Sequence, residues 1–374
     1  MGLEFIEGNE AIARGALKAN CDFFAGYPIT PSSSILHHML NKLPRIGGVA
    51  IQAEDEIASI GMCIGAAMTG AKVLTATSGP GISLYSENIG LAVIGETPLV
   101  IVNVQRQGPA TGAATKGAEG DILFTRWCTS GGQPMIVLSP ATVAEAYELT
   151  YRAFNLAEKY RVPVFLLTNK EVCVTRESVD LERVELPQLV DRTRVATGRP
   201  CLPYRFKDLQ EAPEFADIGG DQITRFTTSS HDEAGYLTSS PEVIQRMIDH
   251  YAAKIESAEE DIALVKQDIE ADAETLIISY GITSRSVAVA VKKMREQRYK
   301  VSSLTVQSLY PVPRAILSKA LVGIKRVIVP EMNMGQYIQE IQRLIPAEVK
   351  VVGVNKMDTT LISPDEIIER GILS

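Results

Sequence analysis

Metal-ligand spacings are missing from this sequence. The 374 residues include five cysteines, and no two of them form a CxxC pair. Zinc and iron–sulfur sites usually need such closely spaced thiolates, so we expect no metal site in this chain. We interpret the cysteines as reduced thiols that mostly act as small buried side chains. They are Cys21, Cys63, Cys128, Cys173 and Cys201.

Several common catalytic signatures are also missing. The chain has no GxxxxGK(S/T) phosphate loop, no GxSxG elbow and no HExxH pair. Nothing local therefore supports P-loop, serine-hydrolase or zinc-protease chemistry. The segment 79–84 comes nearest to a GxGxxG dinucleotide motif, but it lacks the third glycine and has a proline in its turn. We expect no dinucleotide site there.

The sequence also lacks the features of membrane, secreted and nucleic-acid-binding proteins. The uncharged stretch 57–71 is shorter than the roughly 20 residues that a membrane-spanning helix needs. The N-terminus carries acids where a secretory signal would carry Lys or Arg, so we expect a cytoplasmic protein. The formal charge of -8 argues against nucleic acid as a partner.

What is present is the composition of an ordinary globular protein, with 45% hydrophobic and 22% charged residues. The length exceeds the usual size of one hydrophobic core, so we expect two domains. Residues 1–175 alternate between strand and helix patterns, which predicts a doubly wound, mainly parallel α/β sheet. Residues 271–374 repeat the alternation with four strands and predict a smaller α/β domain. Residues 176–270 are interpreted as a connecting segment with a long amphipathic helix, predicted at 241–269.

Loops that follow the strands of the first domain carry the candidate chemistry, because open parallel sheets bind ligands at the carboxyl ends of their strands. In the first loop, GYPITPSSS, two prolines fix the backbone around Thr30 and three serines open a helix whose free amides attract anions. A rigid turn with an ordinary N-cap explains this loop as well.

The second loop, QAEDE, places three acids where a helix begins. The helix dipole alone explains acids at that end. An acid that opens an apolar, small-residue helix could also be buried and suited to proton transfer.

The remaining loops offer a glycine turn and two cations. TSGPG allows close approach of backbone to a ligand. The segment from Arg106 to Thr115 and Lys116 follows a buried strand, and an arginine there suits bidentate recognition of a carboxylate. A surface salt bridge explains Arg106 equally well.

Together, GYPITPSS, QAEDE, ATSGPG and QRQGPATGAATK resemble the alpha subunit of the 2-oxoacid:ferredoxin oxidoreductases, closest to the 2-oxoglutarate type. Leu309-Tyr310-Pro311 and the EMNMGQ segment, residues 331–336, extend the resemblance into the second domain. The resemblance implies a thiamine-diphosphate-binding fold with a pyrimidine domain, followed by a smaller α/β domain like the transketolase C-terminal domain.

The resemblance also implies site residues. A glutamate nine residues before a glycine would hydrogen-bond N1′ of the aminopyrimidine and favour the tautomer that removes the C2 proton. With Gly65 as that glycine, the spacing selects Glu56 over Glu54. Further cofactor contacts are implied for Tyr27, Pro28, Ile29, Ser78 and Gly79. Thr30 and Arg106 would bind the substrate 1-carboxylate, Thr115 would contact the 2-oxoacid, and Lys116 would reach a distal carboxylate.

The family's diphosphate signature, GDG…N, is absent, since Gly120-Asp121-Ile122 does not match it. The resemblance therefore implies a beta subunit that holds the diphosphate, Mg²⁺ and a 4Fe–4S cluster. Ferredoxin and coenzyme A are the further implied partners, and a gamma subunit is a candidate for a third chain. Pyruvate or a branched-chain 2-oxoacid is the alternative substrate. A non-catalytic scaffold and a transketolase-like transferase are the alternative functions. His231 and Arg285 receive no role beyond structural bonding.

Overall fold

Strands and helices alternate along most of the chain. A computed structural model describes residues 2–372. Within that range the strands are β1 (Glu4–Glu7), β2 (Phe23–Gly26), β3 (Val49–Gln52), β4 (Val73–Thr77), β5 (Leu99–Gln105), β6 (Ile136–Leu138), β7 (Pro163–Asn169), β8 (Arg176–Val179), β9 (Val265–Asp268), β10 (Thr275–Ser279), β11 (Val301–Val306), β12 (Ser308–Tyr310), β13 (Arg326–Glu331) and β14 (Lys350–Asn355).

The helices connect these strands. They are α1 (Gly8–Lys18), α2 (Ser33–Lys42), α3 (Glu56–Met68), α4 (Pro80–Leu84), α5 (Ser86–Ile94), α6 (Ile122–Arg126), α7 (Val143–Tyr160), α8 (Lys170–Val174), α9 (Pro241–Glu256), α10 (Glu259–Ile262), α11 (Thr283–Glu296), α12 (Arg314–Ala320), α13 (Tyr337–Gln342) and α14 (Pro364–Ile372). Among residues 2–372, none of them combines the length and the apolar character that a membrane span requires.

The first sheet has the strand order β12-β6-β7-β5-β4-β2-β3, and every neighbouring pair is parallel except β12 with β6. The central strand β5 is buried along its whole length. Its residues alternate between two hydrophobic clusters, with Val100 and Val102 in one and Leu99 and Ile101 in the other. Helices therefore cover both faces, as the continuous apolar run indicates. The predicted doubly wound, mainly parallel sheet is confirmed.

The second sheet has the order β14-β13-β10-β11-β9. The four predicted strands are present and parallel to one another. A fifth strand, β9, pairs antiparallel with β11. The predicted helix 241–269 is therefore one helix only to Glu256, where α9 ends; α10 is a separate short helix, and the prediction is wrong at residues 265–268, which form β9. Pairing with β11 supplies backbone hydrogen bonds that outweigh the helical pattern of the isolated segment.

A buried ion pair attaches the connecting segment to α7. Arg192 forms a bidentate pair with Glu158, at 2.8 and 2.6 Å, and its third nitrogen donates to Ala67 O at 2.7 Å. Both charges are almost fully buried, where such fully bonded geometry is needed to offset desolvation. In the same segment, Nδ1 of buried His231 lies 2.8 Å from Ser229 O.

One buried carboxyl lies where the loop after β5 meets the second sheet's first helix. Glu119 Oε1 accepts from Asn169 Nδ2 at 2.7 Å and from Ile282 N at 3.3 Å, and Oε2 lies 3.3 Å from Thr283 Oγ1. Burial raises the pKa of Glu119 to about 8, with a smaller contribution from the charge of Glu331 and in spite of these hydrogen bonds. The carboxyl is therefore protonated at neutral pH.

This proton predicts how stability depends on pH. The unfolded chain releases it near the ordinary value of 4.5, whereas the folded chain holds it up to about pH 8. Between these values the folded state binds more protons, so this group makes stability fall as pH rises. In Glu119→Gln an amide replaces the protonated carboxyl. We expect the free energy of unfolding of the variant, measured by denaturant titration, to rise relative to that of the wild type as the pH goes from 5 to 8.

The matched control is Glu369→Gln, at an exposed position of α14. Its difference from the wild type should stay constant over the same pH range. A Glu119→Gln difference that is also constant would show that Glu119 does not hold the proton.

Candidate active site

The four candidate loops lie at one edge of the first sheet, because they follow the parallel strands β2, β3, β4 and β5. Register pairs Gly26 with Gln52 and Thr77 with Asn103. The loops that begin just beyond these residues are therefore neighbours at the carboxyl edge. This is the edge at which open α/β sheets bind ligands.

The three acids of QAEDE have different environments. Glu54 is exposed. Asp55 is the N-cap of α3, and its carboxylate accepts from Ala58 N at 2.7 Å. Glu56 is the first residue of the helix and only 7% exposed. Asp55 already satisfies the helix terminus, so the helix dipole alone does not explain why Glu56 is buried.

The glycine turn between β4 and α4 lies against two charged side chains. A Cβ atom on Gly81 would lie 2.7 Å from Glu56 Oε1, and one on Gly79 would lie 2.6 Å from Arg106 Nε. Gly79 also has a φ of +52°, which favours glycine over residues with a Cβ. Both glycines are therefore needed for Glu56 and Arg106 to occupy this edge.

Arg106 follows β5 directly and is 6% exposed. Its Nη1 donates to Thr30 O at 2.7 Å, whereas its buried Nε has no hydrogen-bond partner. Burial lowers the pKa of Arg106, and the nearby charge of Glu56 acts in the opposite direction. Within residues 2–372 no carboxylate forms a salt bridge with it, so the surface-salt-bridge interpretation is wrong. A buried guanidinium in this state is suited to binding an anion.

The GYPITPSS turn is held from below by a residue that sequence reasoning missed. Nδ2 of buried Asn9 donates to Pro31 O at 2.8 Å and to Ser34 Oγ at 2.7 Å. Ser32 occupies the N-cap position of α2, but its hydroxyl donates to Ile29 O at 2.9 Å and accepts no hydrogen bond from the helix backbone. The ordinary N-cap interpretation therefore does not apply, and nothing in the sequence around Asn9 indicated its role.

The other predicted contacts of this turn lie at the surface. Tyr27, Pro28 and Thr30 are exposed and Ile29 is half-buried. Ser78, in the glycine turn, is buried, and its Oγ has no hydrogen-bond partner.

Thr115 and Lys116 are exposed on a closed loop that begins after Arg106. Gln107 N donates to Lys116 O at 2.9 Å, and Ala113 N donates to Gln107 O at 3.0 Å. The loop therefore returns to its own start. Its closure brings Thr115 and Lys116 back toward the strand end that carries Arg106, without a contact between their side chains.

Lys170 is a second residue that sequence reasoning missed. Register pairs Gln105 with Asn169, so Lys170 directly follows the neighbouring strand just as Arg106 follows β5. Its Nζ lies 3.5 Å from Glu171 Oε1. Lys170 is in none of the four candidate loops, and for this reason the sequence did not assign it to the edge.

The outer face of α3 is apolar and uncovered. Ile57 and Met62 are exposed, and a Cβ atom on Gly61 or Gly65 would meet nothing within 4 Å. This face adjoins Glu56, so the site opens toward a surface on which another polypeptide could pack closely.

Comparison with known proteins gives two family matches. Residues 14–268 match the family described as pyruvate flavodoxin/ferredoxin oxidoreductase, thiamine diphosphate-binding. Residues 273–367 match pyruvate:ferredoxin oxidoreductase core domain II. The subunit KorA of 2-oxoglutarate synthase from Methanocaldococcus jannaschii is 42% identical over 375 residues, and the match covers 100% of each chain.

Solved structures agree with these matches. A 2-oxoglutarate:ferredoxin oxidoreductase from Magnetococcus marinus, solved with 2-oxoglutarate, coenzyme A and succinyl-CoA bound, has a TM-score of 0.92 and 30% identity. The match covers 99% of this chain but 64% of the other, so this chain spans less than two thirds of that relative. An inactive split-gene transketolase, with a TM-score of 0.54 and 12% identity, shows a shared fold alone.

These matches agree with the motif resemblance and with the arrangement of the carboxyl edge of the first sheet. The chain belongs to the pyruvate flavodoxin/ferredoxin oxidoreductase family, in its thiamine-diphosphate-binding part.

Proposed function

We propose that this chain is the alpha subunit of a 2-oxoglutarate:ferredoxin oxidoreductase. The complete enzyme would convert 2-oxoglutarate and coenzyme A into succinyl-CoA and carbon dioxide and pass two electrons to ferredoxin. The observation that carries the proposal is the buried pair of Glu56 and Arg106 at the glycine turn. One side chain can exchange a proton with a heterocycle, and the other can bind a carboxylate.

The residues at this edge fit the aminopyrimidine end of thiamine diphosphate. Gly79 and Gly81 allow Arg106 and Glu56 to lie against the turn, and Ser78 Oγ and Arg106 Nε are buried donors without hydrogen-bond partners in residues 2–372. Unpaired buried polar atoms are costly unless a ligand satisfies them. When bound, this cofactor supplies the carbon that adds to the 2-oxoacid carbonyl and accepts the electrons left by decarboxylation.

Glu56 would hold the proton shared with N1′ of the aminopyrimidine. Its position at the start of α3 fixes the carboxyl, and burial excludes water from the shared proton. Tyr27, Pro28 and Ile29 from the first loop and Ser78 and Gly79 from the glycine turn would form the walls.

The substrate would bind through the cations of the edge. Arg106 would pair with the 1-carboxylate, with Thr30 beside it. The carboxylate would offset the free-energy cost of burying an unpaired guanidinium. Thr115 would contact the 2-oxoacid from the closed loop, and the exposed Lys116 would reach a distal carboxylate. A dicarboxylic 2-oxoacid would use both cations.

A beta subunit would complete the site. The chain lacks the GDG…N signature, so the partner would bind the diphosphate with Mg²⁺ and carry the 4Fe–4S cluster that delivers electrons to ferredoxin. The uncovered face of α3 beside Glu56 supports packing of such a partner there. Coenzyme A would enter at this boundary, a gamma subunit could complete the complex, and the cytoplasm would be its location.

The proposal predicts that activity requires both chains. We expect the complex with its beta subunit to reduce methyl viologen with 2-oxoglutarate and coenzyme A faster than with pyruvate or branched-chain 2-oxoacids. The chain alone should be inactive and should not bind thiamine diphosphate tightly. A complex that oxidises none of these acids, or an isolated chain that binds the whole cofactor tightly, would refute the proposal.

Glu56→Gln should slow exchange of the C2 proton of bound cofactor in the complex, because the amide cannot exchange a proton with N1′. We expect a loss of about 10²–10⁴-fold, the usual contribution of general acid–base catalysis. Deuterium incorporation at C2, followed by NMR after an acid quench, measures it. The control is Glu54→Gln, two residues away and exposed, which should exchange normally. Normal exchange in Glu56→Gln would remove Glu56 from this role.

Arg106 and Lys116 should differ in their effect on substrate choice. Arg106→Ala should lower kcat/KM for every 2-oxoacid. The lost transition-state stabilisation should be about 2–5 kcal/mol, as expected when one partner of a desolvated charge pair is removed. Lys116→Ala should lower kcat/KM for 2-oxoglutarate and leave pyruvate unaffected. Steady-state kinetics of the two variants on both acids tests this contrast. Equal losses on both acids in Lys116→Ala would contradict its assignment to the distal carboxylate.

A further inference from the structure

The EMNMGQ segment of the second sheet is the motif that the proposed function leaves unexplained. It runs from the last residue of β13 to the start of α13, and apart from exposed Met334 it is mostly buried. Its partner is the stretch 119–123, which continues from the closed loop after Arg106. We name this contact, between residues 331–336 and residues 119–123, the clasp.

The clasp contains four hydrogen bonds between stretches more than 200 residues apart in sequence. Glu119 N donates to Met332 O at 2.9 Å, and Asn333 Nδ2 donates to Glu119 O at 2.8 Å. Gln336 uses both ends of its amide. Its Nε2 donates to Gly120 O at 2.6 Å, and its Oε1 accepts from Leu123 N at 3.0 Å. Three residues of the motif, Met332, Asn333 and Gln336, thus bind the backbone of one short stretch.

The motif side of the clasp is itself held rigidly. Buried Glu331 accepts from Tyr337 N at 2.8 Å and Ile338 N at 3.0 Å, which caps α13. Asn333 Oδ1 accepts from Gly335 N at 2.8 Å and Gln336 N at 3.0 Å. Gln336 therefore extends from a fixed backbone, and less rotamer freedom remains to be lost when it binds Gly120 and Leu123.

The loop side connects the clasp to the substrate residues over a short distance in sequence. Lys116 lies three residues before Glu119. Between them, a Cβ atom on Gly117 would lie 1.8 Å from Glu171 Oε2, so this step of the chain is tightly packed. Within the stretch 119–123, Asp121 N donates to Gln105 Oε1 at 2.9 Å, which ties this stretch to β5. The closed loop is therefore fixed at Arg106 on one side and at the clasp on the other.

We propose that Gln336 and Asn333 are positioning residues for the 2-oxoacid, because they fix the far end of the loop that carries Thr115 and Lys116. This inference rests on the proposed function. Neither residue would touch substrate. Each would act through the backbone of residues 119–123, which sets where the closed loop lies relative to Arg106. Small displacements of a substrate-orienting group are costly in catalysis.

The test uses Gln336→Met in the complex with the beta subunit, since Met keeps the length of the side chain but can replace neither hydrogen bond. Losing each bond should raise KM for 2-oxoglutarate by about 3- to 10-fold. We expect kcat and C2 proton exchange to change less, because Glu56 is untouched. Hydrogen–deuterium exchange, followed by mass spectrometry, should become faster in residues 107–118. Gln342→Met, at the exposed last residue of α13, is the matched control and should leave all these readouts unchanged.

Each outcome has a distinct meaning. Unchanged exchange in residues 107–118 would show that the clasp does not hold the loop, and faster exchange with unchanged KM for every 2-oxoacid would show that the loop does not position substrate. Either result overturns the inference while leaving the proposed function intact. A wild-type complex that oxidises no 2-oxoacid would overturn the proposed function and this inference with it. If Gln336→Met does not assemble, Gln336→Glu, which keeps the acceptor for Leu123 N, carries the same test.

Discussion

The burial of Glu56 and Arg106 against one glycine turn is the constraint from which the rest of the site follows. Two charged groups removed from water are costly unless each has partners, yet within residues 2–372 Arg106 has a single hydrogen bond, to Thr30 O. Gly79 and Gly81 make the approach possible because no side chain fills the space. The fold thus keeps a charged, incompletely bonded pair at the sheet edge, and a ligand that binds there would gain the interactions that the protein leaves unmade.

This local arrangement depends on the parallel sheet around it. The strands β4 and β5 are buried, and their register sets the glycine turn beside Arg106. α3 begins after β3, which is two strands from β4 in the sheet, and Asp55 is its N-cap, so that Glu56 can be buried while the helix terminus is satisfied. Asp55 caps the helix and Glu56 is buried at the site, so the adjacent acids have different roles. This explains why the QAEDE loop carries more carboxylates than a helix dipole requires.

Much of this was predictable because its signals are local. The buried run at β5 and the glycines at 79 and 81 indicated the strand and the close approach, and four parallel strands of the second sheet were expected from apolar runs. The missed features depend on contacts distant in sequence. β9 reads as helix until β11 pairs with it, and β12 joins the first sheet although its neighbours lie in the second. Asn9 bonds to a turn 22 residues away, and Lys170 is placed by the register of two strands. No local sequence pattern indicates either position.

The second domain carries no candidate catalytic group, and its contacts with the first domain are also between residues distant in sequence. In the second sheet, the buried side chains of Glu331 and Asn333 cap α13 and bind the loop that leaves the active edge. Glu119 joins this junction as a protonated acid, because burial raises its pKa to about 8 in spite of the hydrogen bonds from Asn169, Ile282 and Thr283. A polar junction of this kind is stable only when every group is satisfied, so its geometry is fixed more tightly than an apolar contact would be. Such a junction can hold one end of a substrate loop in place while the other end remains part of the strand that carries Arg106.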